Sequence, residues 1–242
     1  MCRWARPQAP ELETEIAEMS EPAPEASVSR IILRPLGSPL TIGMSGLAIA
    51  LLVQCGLDLH WVSHDQTRSV GLILISVPFL LQTIACVFSY LARDGATGAT
   101  VGVLSGSWLA EGLIDVASSP GARSGALGLM LLAAGGTLAL SAVAVGSTKP
   151  LAGTVFLLAA LRFIVGGVYE LGAAGAWQDA AGLMGLAVVA VAGYCVLAFE
   201  LEGQQHRPVL PTFRRGTATA TPHHPDEQFA GVVSEPGIRH TT

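Results

Sequence analysis

Charge is scarce in the middle of this chain. Of its 242 residues only 13% are charged, and there is one lysine, Lys149. A stretch so poor in charge has too little polar surface to coat a water-soluble domain. Aromatics are also few, at 6%. The four cysteines, Cys2, Cys55, Cys86 and Cys195, form no CxxC pair and have no metal-ligand spacing, so neither a disulfide nor a metal is expected. HExxH and GxSxG are missing, and no cysteine pairs with a histidine within the apolar runs, which argues against an intramembrane enzyme. No cofactor and no nucleic-acid partner are expected. No apolar segment follows Arg3 and Arg6, so a cleavable signal peptide is not expected and the first apolar run serves as targeting signal.

What is present is apolar length. The chain is 51% hydrophobic, with a mean hydropathy of +0.55. Six long runs, 39–57, 69–92, 99–117, 123–146, 150–174 and 178–199, are separated by short turns. Each approaches the roughly 20 apolar residues that cross a hydrocarbon core as a helix. The expected class is an all-α membrane protein of six transmembrane helices in a multi-pass arrangement in the cell membrane. The expected organisation is an acidic, Pro-rich disordered segment over 1–34, a six-helix domain over 35–211 and a disordered tail over 212–242. Glu11, Glu13, Glu15, Glu18, Glu21 and Glu25 give the leader its acidity, and neither end has enough apolar surface to fold alone.

Orientation follows from basic residues near the helix ends. Arg3, Arg6, Arg30, Arg34, Arg93, Lys149, Arg207, Arg214 and Arg215 fall on one side, and Arg68 and Arg123 on the other. Both termini are therefore predicted to be cytoplasmic, which agrees with an even number of spans. Trp61, Trp177 and Tyr169 fit an aromatic belt at the outer interface. Pro78 predicts a bend in the second span, and Pro39 and Pro150 suit helix starts. His60 and His64, with Asp58 and Asp65 beside them, read as an exposed outer loop.

The third span carries two rows. Gly98, Gly102 and Gly106 recur every fourth residue, the pattern of a smooth face for helix packing or, facing a pore, of room for solute. Ser107, Glu111 and Asp115 recur at the same interval, so both carboxylates project from one face. An ionisable group costs roughly 2.5–3.5 kcal/mol at the centre of a membrane helix on insertion scales and so marks a partner or a pathway. Arg162, in the fifth span, cannot shed its proton and is the expected partner of Glu111. Glu170 lies about 12 Å further along that helix at 1.5 Å per residue. A Glu111–Arg162 pair is either structural or the wall of an anion-attracting path, and both readings stand.

The C-terminal third carries a pattern. Ala181-Gly182-Leu183-Met184-Gly185-Leu186, Tyr194, Glu200, Gln204, Arg207 and Val209-Leu210-Pro211 resemble the last span and R-x-V-L-P tail of the GPR1/FUN34/YaaH family of acetate uptake transporters. Pro35-Leu36-Gly37 or Pro39-Leu40 stand at the NPAPLG position, Gln82 and Ala85 at Q-x-x-A, and Thr100 with Gly106-Ser107-Trp108 in the third-span motif. The resemblance covers 35–211. It implies a six-helix protomer in a homohexamer, each protomer with its own path for acetate, succinate or similar small carboxylates moving with protons. It also implies an apolar gate, whose positions here fall on Ser45, Ser105 and Ala159, all small, with Trp108 or Arg162 available to fill the space. The transport path is thus expected to involve Ser45, Ser105, Trp108, Glu111, Ala159, Arg162 and Glu170. A membrane scaffold or sensor that kept the fold without the flux is the alternative.

Overall fold

The computed structural model describes residues 38–205 and 209–215. The acidic leader, Cys2, the basic residues up to Arg34, the Pro35-Leu36-Gly37 motif, Arg207 and the tail from residue 216 lie outside them.

Among the described residues every regular element is helical. Helix α1 spans Leu40–Asp58, and a single 3-10 turn, His64–Gln66, leads into α2, Thr67–Ser76. Then come α3 (Pro78–Leu91), α4 (Gly95–Ala117), α5 (Gly125–Thr148), α6 (Pro150–Glu170) and α7 (Ala176–Gln205). Helices α2 and α3 are one rod interrupted at Val77, where Pro78 supplies no N–H to the preceding turn. Side chains fix the helix starts: Asp94 accepts from the Thr97 amide at the head of α4, and Ser124 from the Leu127 amide at the head of α5.

Five rods, α1, α2–α3, α5, α6 and α7, are long and apolar enough to cross a membrane. This is the signature of a multi-pass membrane protein. Helix α4 has the length, 23 residues. Its glycines, serines and two carboxylates keep it out of that set of five.

Successive rods run antiparallel, and their contacts close into a ring. Helix α1 packs on α7, α7 on α6, α6 on α5, α5 on α4, α4 on the α2–α3 rod, and that rod on α1. Glycine sets the closest approaches. A Cβ at Gly71 would stand 2.6 Å from the Gly112 carbonyl oxygen, and one at Gly128 2.9 Å from that of Gly167. Such contacts replace the lipid-facing hydrophobic drive that a membrane does not provide. The ring's interior is filled by Met44, Leu47, Leu51, Leu104, Trp108, Phe156 and Phe163, all at most 1% exposed.

The chain after α7 folds back on the bundle. The Tyr194 hydroxyl donates to the Pro211 carbonyl, Arg214 pairs with Glu202 at 2.6 Å, and the Arg215 amide donates to the Thr148 carbonyl. Residues Thr212 to Arg215, which the sequence pattern put in the tail, are therefore tied to the end of the bundle where α1 begins, called the termini end below.

Candidate functional site

Arg162 projects from the middle of α6 into the ring and is 2% exposed. Its Nη2 donates to Asp58 Oδ2 at 3.0 Å. Its Nη1 lies 3.8 Å from Glu111 Oε1, beyond hydrogen-bonding distance. The sequence pattern predicted Glu111 as the partner and left Asp58 in an outer loop. Asp58 is instead the last residue of α1, 7% exposed, and the nearer of the two carboxylates. A carboxylate at a helix C-terminus meets the negative end of the helix dipole, so the guanidinium offsets an unfavourable placement. Glycine admits Asp58 to this position: a Cβ at Gly182 of α7 would come 3.0 Å from its Cβ.

One cation thus sits between two carboxylates on three different helices. Arg162 Nε and Nη1, together with Glu111 Oε2, have no hydrogen-bond partner among the described residues. Buried polar groups are normally paired, and a half-satisfied network is costly.

Above Asp58, at the end of the bundle remote from the termini, lies a cavity of about 50 Å³. Its wall includes Gln54, Asp58, His64, Thr67, Asp115, Ala122, Arg123, Tyr169, Glu170 and Gln178. At about 10–15 Å³ for each water this holds a few waters or one small anion. Glu170 Oε2 accepts from the Ser124 amide at 2.7 Å. The Arg123 guanidinium stands 4.1 Å over the Tyr169 ring, so Tyr169 is a cavity wall, whereas the sequence reading gave it a lipid-facing belt position. Trp61 and Trp177 are exposed, at 62% and 43%. Gln54 Oε1 is buried without a hydrogen-bond partner among the described residues.

The remaining expected residues are spread through the ring. Ala159 is fully buried, and Ser45 is half-buried with its hydroxyl donating to the Thr41 carbonyl. Ser105 turns to α3, donating to the Phe79 carbonyl at 3.0 Å and sharing a 2.8 Å bond with Thr83. The bulk lies in Trp108, which meets Phe163 edge to face at 5.3 Å. Trp108 Nε1 has no hydrogen-bond partner among the described residues. In the glycine row a Cβ at Gly98 would touch the Tyr90 ring at 2.9 Å and one at Gly102 the Cys86 sulfur at 3.1 Å, while Gly106 faces open space. Cys55, Cys86 and Cys195 are free thiols. Among the described residues no group of three or more His, Cys, Asp or Glu side chains could hold a metal.

The solved structure of the bacterial acetate channel SatP has a similar fold. The TM-score is 0.65, over 73% of this chain and 99% of that one, at 19% sequence identity. No protein-family model and no curated protein matches the chain. The likeness is one of architecture.

Sequence reasoning missed Asp58, Gln54 and Gln178. A signal for the first two was present. Gln54 and Asp58 are four residues apart on one helical face, and a run taken to Asp58 rather than stopped at Leu57 places both in the bundle.

Proposed function

We propose that this protein is a membrane transporter or channel for acetate, succinate or a similar small carboxylic acid, moving with protons. The observation that carries the reading is Arg162: a buried guanidinium with two nitrogens that make no hydrogen bond among the described residues, bonded to Asp58 of the wall of a cavity of small-solute size. Arginine is the side chain best matched to a carboxylate, and it keeps its charge at any working pH. Two carboxylates share this one cation, so the centre has a formal charge of −1, which one proton neutralises. Glu111 or the solute carries that proton. The fold likeness to an acetate channel and the motif resemblance supply independent support.

In this reading α4 is the sixth span, tolerated in the membrane because its carboxylates face the ring interior. Both termini are cytoplasmic, the protein resides in the cell membrane, and protomers assemble as homohexamers, each with its own path.

The filled interior favours a second reading. Trp108 and Phe163 are fully buried and packed edge to face, and a scaffold or sensor would retain such a plug. Proteoliposome uptake of labelled acetate, succinate and lactate, with and without an inward proton gradient, separates the two. Gradient-stimulated uptake of one acid establishes the transporter. No uptake of any of the three, from a protein that is correctly assembled, leaves the scaffold.

A further inference from the structure

Helix α4 carries two carboxyl groups one turn apart. Each has a buried oxygen without a hydrogen-bond partner among the described residues, Oε2 of Glu111 and Oδ2 of Asp115. Their surroundings differ. Asp115 is half-buried and lines the cavity, together with the exposed loop residues Ala122 and Arg123. Glu111 is 2% exposed, lies outside that wall and faces Arg162. Residues four apart on a helix bring their Cβ atoms to about 6 Å, so the two carboxyls can meet directly or through one water.

Packing fixes the rotation that gives them these places. Where α4 crosses α2, a Cβ on Gly71 or on Gly112 would stand 2.6 Å from the other glycine's carbonyl oxygen. The same Cβ on Gly71 would lie 2.7 Å from the Asp115 Cβ. The stem of Asp115 is thus pressed against α2, and its carboxyl is left to the cavity.

The other two carboxyls of the wall are engaged. Asp58 Oδ2 accepts from Arg162, and Glu170 Oε2 accepts from the Ser124 amide. Across the cavity Gln54 of α1, 9% exposed, adds a second side chain whose oxygen makes no bond among the described residues. Both oxygens call for a donor, and water or the hydroxyl of an undissociated acid is one.

The titratable groups facing this pair come from the elements packed around it. They are Asp58 of α1, His64 before α2, Arg123 of the α4–α5 loop, and Arg162, Tyr169 and Glu170 of α6. Helices α2 and α7 present uncharged Thr67 and Gln178 to the cavity, and α5 has no titratable side chain.

We infer that Asp115 is the group through which Glu111 exchanges protons with the cavity. A proton passes between cavity water and Asp115 Oδ2, then between Asp115 and Glu111 Oε2. Each step makes one O–H bond and breaks one. The route runs in either direction and assumes no resting charge on either carboxyl. Its use as the entry for a co-transported proton rests on the carboxylate-transport reading above; the route itself does not.

Proton exchange can be followed without any transport. In the full chain in liposomes, the infrared carbonyl band of protonated Glu111 is identified by its loss in Glu111→Gln. Its shift on changing light water for heavy water times the exchange of that proton. Asp115→Asn keeps the size of the side chain and slows the shift roughly tenfold or more. Asp115→Glu leaves it within about twofold of the parent. Asp115→Val, apolar and of similar size, replaces the asparagine variant if that one does not assemble. A shift as fast without the Asp115 carboxyl as in the parent overturns the inference. So does a parent that shows no Glu111 band anywhere between about pH 4 and about pH 8.

Acetate uptake under an inward proton gradient is the second arm. Slowed exchange in Asp115→Asn with no uptake by the parent sinks the transport reading and leaves the proton route standing. Gradient-driven uptake by the parent with undiminished exchange in Asp115→Asn does the reverse.

Discussion

The two ends of the bundle handle charge in opposite ways. At the termini end, charges are matched one to one and kept half in water. Lys149 pairs with Asp94, each about a quarter exposed, and Arg214 pairs with Glu202 at 2.6 Å and lies over the Phe199 ring. Each pair ties one loop or strap to its neighbour. At the far end one buried guanidinium serves two carboxylates, and two more line the cavity above. Exposed pairs contribute little and cost little, whereas buried, incompletely paired charge is expensive and persists where something other than stability is selected. The ends thus differ in burial and in how many carboxylates each cation serves.

Arg162→Gln is the harshest test of that contrast. It strands Asp58 and Glu111 without a cation and should cost about 3–5 kcal/mol, seen as loss of a monodisperse protein or a collapse of Tm in mild detergent. Lys149→Gln, at the other end, should cost no more than about 1 kcal/mol in the same assay. Equal effects would erase the distinction between the ends. A second change then sharpens it. Because Asp58 lies at 3.0 Å and Glu111 at 3.8 Å, adding Asp58→Asn to Arg162→Gln should restore folding better than adding Glu111→Gln.

Packing, unlike charge, should be equally demanding at both ends. A Cβ at Gly71 would meet the Gly112 carbonyl oxygen, and one at Gly153 would meet the backbone of Gly146. Gly71→Ala and Gly153→Ala should each cost about 1–3 kcal/mol by overpacking. Gly106→Ala, which meets nothing within 4 Å, should leave Tm unchanged. A tolerant Gly153 beside an intolerant Gly71 would show that the ends differ in more than charge.

The smallest effect concerns Asp94. Burial pushes its carboxyl up, but hydrogen bonds from Lys149 and Thr97, with the charge of Lys149, outweigh this and hold it below the ordinary carboxylate range. A lowered folded value means that stability is present above the unfolded pKa and is lost as pH falls through the folded one. Asp94→Asn should therefore lower Tm slightly at neutral pH, by the equivalent of about 1 kcal/mol or less, and the gap from the parent should close in acid. A gap that widens in acid reverses the assigned sign.

The architecture was legible because apolar length is a coarse signal that tertiary context rarely overrides. All six runs became rods, and Pro78 broke the second where expected. The site was legible only in part. Intramembrane charge announced Arg162 and Glu111, since neither can sit unpartnered in lipid. It could not announce Asp58, which as the last residue of a run looks like loop, nor the pairing order, which depends on helix rotation and on Gly182 opening a place on α7. Ser105 was assigned by motif register to a gate, yet its hydroxyl is engaged by the Phe79 carbonyl of α3. Motif position does not determine which way a small side chain faces.

The bond from Arg162 to Asp58 joins residues 104 positions apart in the chain. Synthesis delivers roughly 5–20 residues per second, so Asp58 waits roughly 5–20 s for its cation. Glu111 waits a shorter time. During that interval neither carboxylate has the cation it meets in the finished bundle. On the transporter reading, the far ends of α1 and α4 are then expected to stay at the membrane surface until α6 has been made. A nascent chain halted before Arg162 would hold α1 shallow and accessible to a water-soluble label at its C-terminal end, and release through α6 would withdraw it. One guanidinium, delivered late, completes the charged centre.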